Sequence, residues 1–197
     1  MESKWTQRPV SFVRSSKIAA RAALHLYLAA AMLRSSIFLP SDCTAQALAD
    51  FEKLVVEGGA VNSEGLGQRI RDASRLLFLR ASDDRLIGAG ALKHPRPEYR
   101  NKVFANARAT VPAGEYPVEL GWVVVAKSYQ GRRLSTRIVG ELLTFAKNEN
   151  VFATTRADER VLSFAFDCGF KINGTAFPSG HGYDLVLYLR NSHDYLR

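Results

Sequence analysis

The run Glu119 to Val125 (ELGWVVV) constrains this chain more than any other segment. So continuous an apolar stretch reads as a strand buried on both faces, which needs a sheet around it and helices above and below. A short loop containing Gly131 follows, and it feeds directly into a helix beginning at Ser135. A strand–loop–helix turn of this kind aims unpaired backbone N–H groups and the positive helix end at one point, which suits an anion. The charges agree. From Leu120 to Gly140 there is no acidic side chain, whereas Lys127, Arg132, Arg133 and Arg137 all fall there. A phosphate-bearing ligand accounts for both facts. The plainer alternative is a solvated basic helix start with ordinary caps.

Other elements fall into place around this strand. Val10 to Arg14 has the composition of a short strand, and Ser16 to Leu33 that of an amphipathic helix with Leu24, Leu28 and Met32 on one stripe. Pro40 ends that segment, and Ser41 or Asp42 is placed to cap a second helix running to about Val56. A weaker helix is expected over Glu64 to Ala73. Arg75 to Ala81 and Leu86 to Leu92 form a hairpin turned by Ser82 to Arg85. Residues 94–117 hold four prolines, so they form a long connection with some helix inside it. Beyond the central strand come a helix over Ser135 to Lys147, with Ile138, Leu142, Leu143 and Phe145 inward, and a strand over Val151 to Thr155. A helix from Asp158 to Cys168 ends at Gly169, and a final strand covers Asp184 to Arg190. This alternation specifies one α+β domain over residues 1–197, with a mixed, mostly antiparallel sheet flanked by helices on both faces.

Composition narrows the function classes. Cys43 and Cys168 lie far apart and form no disulfide framework, so a reducing, cytoplasmic setting is expected. His25, His94, His181 and His193 have no metal-ligand spacing, and no metal is expected. The net charge is +8, and the first 40 residues carry six Lys and Arg against Glu2 alone. Such a bias attracts RNA, membrane surfaces or anionic small molecules. The longest uncharged stretch there, Ala22 to Leu33, is shorter than the roughly 20 residues a membrane span needs, so no stable insertion is expected.

The segment Tyr129 to Thr136 (YQGRRLST) resembles the acetyl-CoA pyrophosphate loop of GNAT N-acetyltransferases, whose pattern is Q/R-x-x-G-x-G/A after a strand. Gln130 takes the first position, Arg133 stands where the first motif glycine belongs, and Ser135 takes the final one. The similarity continues from Thr155 to Phe170, with Asp158 near the usual Asn and Gly169-Phe170 at the right distance. The hairpin strand Leu86 to Leu92 resembles the family's paired strands.

The resemblance implies an acetyltransferase that uses acetyl-CoA as co-substrate and an amine as acceptor. It puts the pantetheine arm along Val123, Val124 and Val125. The pyrophosphate falls to Gln130, Gly131, Arg132, Arg133, Leu134, Ser135 and Thr136, with Asp158 also on the cofactor side. Glu119 is the implied base. The usual acid, a tyrosine four residues before the glycine, is Ala165 here, which leaves Tyr183 or His181 as substitutes. A basic lining from Arg96, Arg100, Lys102 and Arg108 favours an anionic acceptor. The alternatives are a toxin-like enzyme that acetylates aminoacyl-tRNA, with RNA as the less favoured partner, and a non-catalytic CoA-binding module. A monomer and a homodimer both fit.

Overall fold

The computed structural model describes residues 33–59, 61–157 and 168–193. The expected strand at Val10 to Arg14, the helix from Ser16 and the helix from Asp158 lie outside the described residues.

The chain enters on β1 (Arg34–Phe38), a strand that the sequence pattern did not suggest. A single 3-10 turn at Pro40–Asp42 leads to α1 (Ala45–Glu57). The cap is Thr44, not Ser41 or Asp42: its hydroxyl accepts the Ala47 N–H at 3.1 Å, while the earlier pair is spent on the turn. α2 (Leu66–Arg71) is shorter than its sequence pattern. β2 (Arg75–Arg80) and β3 (Leu86–Lys93) make the expected hairpin. The long connection holds α3 (Pro97–Asn106), and β4 (Val118–Val125) follows. α4 (Leu134–Leu143) stops before Phe145, because the Thr144 hydroxyl bonds back to the Glu141 carbonyl at 2.7 Å. Phe145 is therefore exposed, with the Arg75 guanidinium 5.3 Å from its ring, and does not face the core as its periodicity suggested. β5 (Val151–Arg156), the two-residue strands β6 (Lys171–Ile172) and β7 (Phe177–Pro178), and β8 (Asp184–Arg190) complete the sheet.

The strand order is β1-β2-β3-β4-β5-β8-β6, with β7 also on β8. Every pairing is antiparallel except β4 with β5. Side chains alternate across it. Leu77 and Leu79 join Ile138, Leu142 and Val151 in a core beneath α4, whereas Leu76, Phe78 and Ala91 join Phe51, Val55 and Ile70 beneath α1 and α2. α3 closes a third cluster with Phe104, Phe152 and Leu187. This is the expected mixed sheet with helices on both faces. Gly88 and Gly90 of β3 let α4 settle close, since a Cβ on Gly90 would stand 2.6 Å from the Ile138 Cγ2.

Candidate active site

Two irregularities of β4 create the site. The first is a bulge. Between the pairs Ala89↔Val124 and Ala91↔Gly121, β4 spends one residue more than β3, and Trp122 takes a φ of 52°. A left-handed tryptophan inside a strand is rare and bends the strand sharply. The second is a splay. β4 and β5 pair only at Val118↔Val151 and Glu119↔Phe152, although β4 continues to Val125 and β5 to Arg156. From Leu120 onward, β4 presents a main-chain edge without a strand partner on that side among the described residues. The two strands part there and leave an opening beside β4.

On the α4 face the opening ends at the loop 126–133. The Gln130 amide donates to the Val125 carbonyl at 2.9 Å and ties the loop back to the strand. Gly131 (φ 76°) and Arg133 (φ 57°) are both left-handed, and Arg133 immediately precedes the first helical residue. Arg133 thus adopts a left-handed conformation that glycine reaches without strain. Among the described residues, the N–H groups of Gly131 through Thr136 have no acceptor, and α4 has no side-chain cap. Arg137 donates to its first in-turn acceptor, the Arg133 carbonyl, at 3.2 Å. Six amides in a row, with the positive end of the helix dipole behind them, are a feature that attracts an anion.

The side chains agree in part. Arg132 and Arg133 are exposed, and Arg132 stacks over Tyr129 at 5.0 Å. Leu134 is buried in the core, so only its amide is on offer. Arg137 is committed elsewhere, to Glu141 at 2.8 Å and to the Ser35 hydroxyl at 3.0 Å. Val123, Val124 and Val125 line the splayed edge, half-buried.

On the opposite face sits Glu119, 5% exposed. Its Oε1 meets the Lys93 ammonium at 2.8 Å and accepts from the Tyr99 hydroxyl at 3.4 Å. The same Lys93 Nζ lies 4.5 Å from the centre of the Trp122 ring. Tyr99 has its ring toward solvent and its hydroxyl turned in. Burial of that hydroxyl, then the Glu119 charge, push its pKa well above the ordinary 10.0, with Arg69 pulling the other way. Tyr99 therefore remains a donor at physiological pH. Lys93 and Tyr99 carried no sequence signal, because β3 and α3 reach Glu119 only through the β3–β4 register.

Tyr183 is not brought to Glu119. Glu119 pairs with Phe152, which faces Leu189, and Tyr183 lies beyond the far end of β8. Six residues of strand separate Tyr183 from Leu189, roughly 20 Å of rise. Tyr183 instead lies under the Arg156 guanidinium at 4.4 Å, with His181 beside it. Asp158 lies outside the described residues. Among those residues no cluster of potential metal ligands occurs, and no helix is long and apolar enough to cross a membrane.

Open amides at a helix start and a splayed parallel strand pair are the two features that mark this α+β domain. The acetyltransferase (GNAT) family model matches residues 45–170, and the chain belongs to that family. Its fold is that of ElaA from Escherichia coli (TM-score 0.60, 14% identity, 81% of this chain and 100% of that one). It is also that of an acyl-CoA N-acyltransferase from Pseudomonas aeruginosa (0.58, 16%, 80% and 99%). A third is a GNAT-family acetyltransferase from Streptococcus agalactiae (0.59, 13%, 80% and 95%). Among curated proteins no sequence matches. GNAT acetyltransferases use acyl-CoA as co-substrate, and the anion site and open β4 edge fit that molecule.

Proposed function

We propose that this protein is an N-acetyltransferase that moves an acetyl group from acetyl-CoA to a primary amine. The observation that carries the reading is the run of open amides from Gly131 to Thr136, at the mouth of the β4–β5 opening. In this reading those amides, with Arg132 and Arg133, hold the pyrophosphate, and the unpaired edge at Val123 to Val125 holds the pantetheine arm. The bound co-substrate supplies an activated thioester.

Glu119 stands on the other side of the opening and serves as the base for the incoming ammonium, directly or through water. Lys93 and Tyr99 fix its carboxylate by an ion pair and a hydrogen bond on one oxygen. The separation between Tyr183 and Glu119 argues against Tyr183 as the acid, so the thiolate takes its proton from water in this scheme. Lys93, together with Arg69 near the Tyr99 hydroxyl, gives the acceptor side an excess of positive charge around one carboxylate. That favours an acceptor carrying its own anionic group beside the amine.

Thiol release from acetyl-CoA over a panel of amines is the test. Amines with a neighbouring carboxylate or phosphate should be consumed faster than polyamines. A protein that binds acetyl-CoA but releases no thiol with any amine would instead be a non-catalytic CoA-binding module.

A further inference from the structure

An amine already stands where the acceptor amine must arrive. The Lys93 Nζ is 2.8 Å from Glu119 Oε1, and its side chain is 17% exposed. It also lies against the β4 main chain: a Cβ on Gly121 would come within 2.7 Å of it. Gly121 lies two residues past the last β4–β5 pair, Glu119↔Phe152, so this is the beginning of the edge that β5 leaves open. The absence of a side chain on Gly121 is what lets the ammonium lie there. Its other neighbour is the face of Trp122 at the bulge.

We propose that Lys93 is itself an acyl acceptor, so that the protein acylates its own Lys93 from acyl-CoA. The proposal rests on the donor-site reading above. One ammonium proton passes to Glu119, and the freed amine attacks the thioester carbon. The N–C bond forms, the C–S bond breaks, and the departing thiolate takes the second proton. The products are an amide on Lys93 and free CoA, with Glu119 returning its proton to solvent. No oxidant, metal or further reactant is needed. Acylation removes the charge of Lys93, and with it both the ion pair to Glu119 and the cation–π contact to Trp122. The carboxylate is then released for the ammonium of an external substrate.

Purified full-length protein, incubated with acetyl-CoA at neutral pH, should gain the mass of one acetyl group. Peptide mapping should place it on Lys93 at about tenfold or more above any other lysine, since among the described residues this is the lysine held against Glu119. Lys93→Arg keeps a cation but removes the acceptor and should abolish that label. Glu119→Gln should slow it strongly. Gly121→Ala, whose Cβ would stand 2.7 Å from the ammonium and in ordinary contact with the Glu119 Oε1 at 3.7 Å, displaces the ammonium and should slow it as well. Freed of nucleotide, the acetylated protein should melt below the unmodified one, because the buried Glu119 has lost its counter-ion. Acetyl-CoA binding is measured by calorimetry on the same sample. An unlabelled Lys93 in protein that binds acetyl-CoA overturns self-acylation and leaves the donor-site reading standing. Absence of binding overturns both. Equal labelling of Lys93 and the surface lysines, or unchanged labelling in Glu119→Gln, also overturns it.

Discussion

Glu119 is the base of the proposed mechanism, and a carboxylate at 5% exposure persists only with charge and hydrogen bonds around it. Replacing it by Gln keeps the shape and the Tyr99 contact but cannot take up a proton. Turnover should fall by about 100-fold or more, and the acidic limb of the pH–rate profile should vanish. Steady-state rates across pH decide it, and wild-type turnover in Glu119→Gln would reduce the residue to a structural ion-pair partner. Tyr99 gives a second test, this time of stability. Its folded pKa is raised, so holding its proton favours the folded state fully below the unfolded value of 10.0. That contribution is lost as pH climbs from there through the folded value. Above about pH 10 the wild type should therefore lose melting temperature faster than Tyr99→Phe. Parallel alkaline curves would show that the hydroxyl is solvated. Glu119 could be singled out in the sequence because it begins the one unmistakable strand. Lys93 and Tyr99 could not, since they belong to other elements and nothing local marks them.

At the scale of elements, periodicity revealed what local packing determines and missed what distant partners determine. β2, β3, β4, β5 and β8 were legible because each is an apolar run with turn residues at its ends. β1 was not: its pattern alternates only between exposed and half-buried, and what holds Arg34 to Phe38 extended is the ladder to β2. The Trp122 bulge was invisible for the same reason, being a mismatch between two strands. The loop before α4 was legible in charge but not in conformation. Arg133 holds a φ of 57° at the helix start, where a non-glycine residue costs about 1–2 kcal/mol. Glycine relieves that strain and gives back part of the gain through a freer unfolded chain. Arg133→Gly should thus be more stable by up to about 1 kcal/mol, while acetyl-CoA binds less tightly for want of the guanidinium. Calorimetric melting and binding isotherms on one preparation test both signs. A variant that melts lower would mean that Arg133 makes contacts outweighing its strain.

Across the whole molecule, the splay divides the sheet into two halves, β1 to β4 and β5 to β8, whose strands meet at only two residue pairs. Antiparallel ladders hold each half internally, six pairs in β5–β8 alone. The junction is a two-pair seam, as short as those that hold β6 and β7 to β8, and it is also where the donor-site reading seats acetyl-CoA, against the open β4 edge. A ligand that binds only the folded chain adds RT ln(1 + [L]/Kd) to its stability, about 2.7 kcal/mol at 100 times Kd. For a chain of this size that corresponds to a rise in Tm of about 5–10 °C. Arg132→Glu provides the control. Arg132 is exposed, and among the described residues it stacks on Tyr129 and makes a 3.3 Å bond to the Ser128 carbonyl, so the ligand-free Tm should barely move. A carboxylate placed at the open amides repels the pyrophosphate, and the acetyl-CoA-induced rise should shrink to a small fraction of the wild-type value. Thermal melts of both proteins, with and without acetyl-CoA, separate the outcomes. A full ligand-induced rise in Arg132→Glu would move the anion site away from the start of α4.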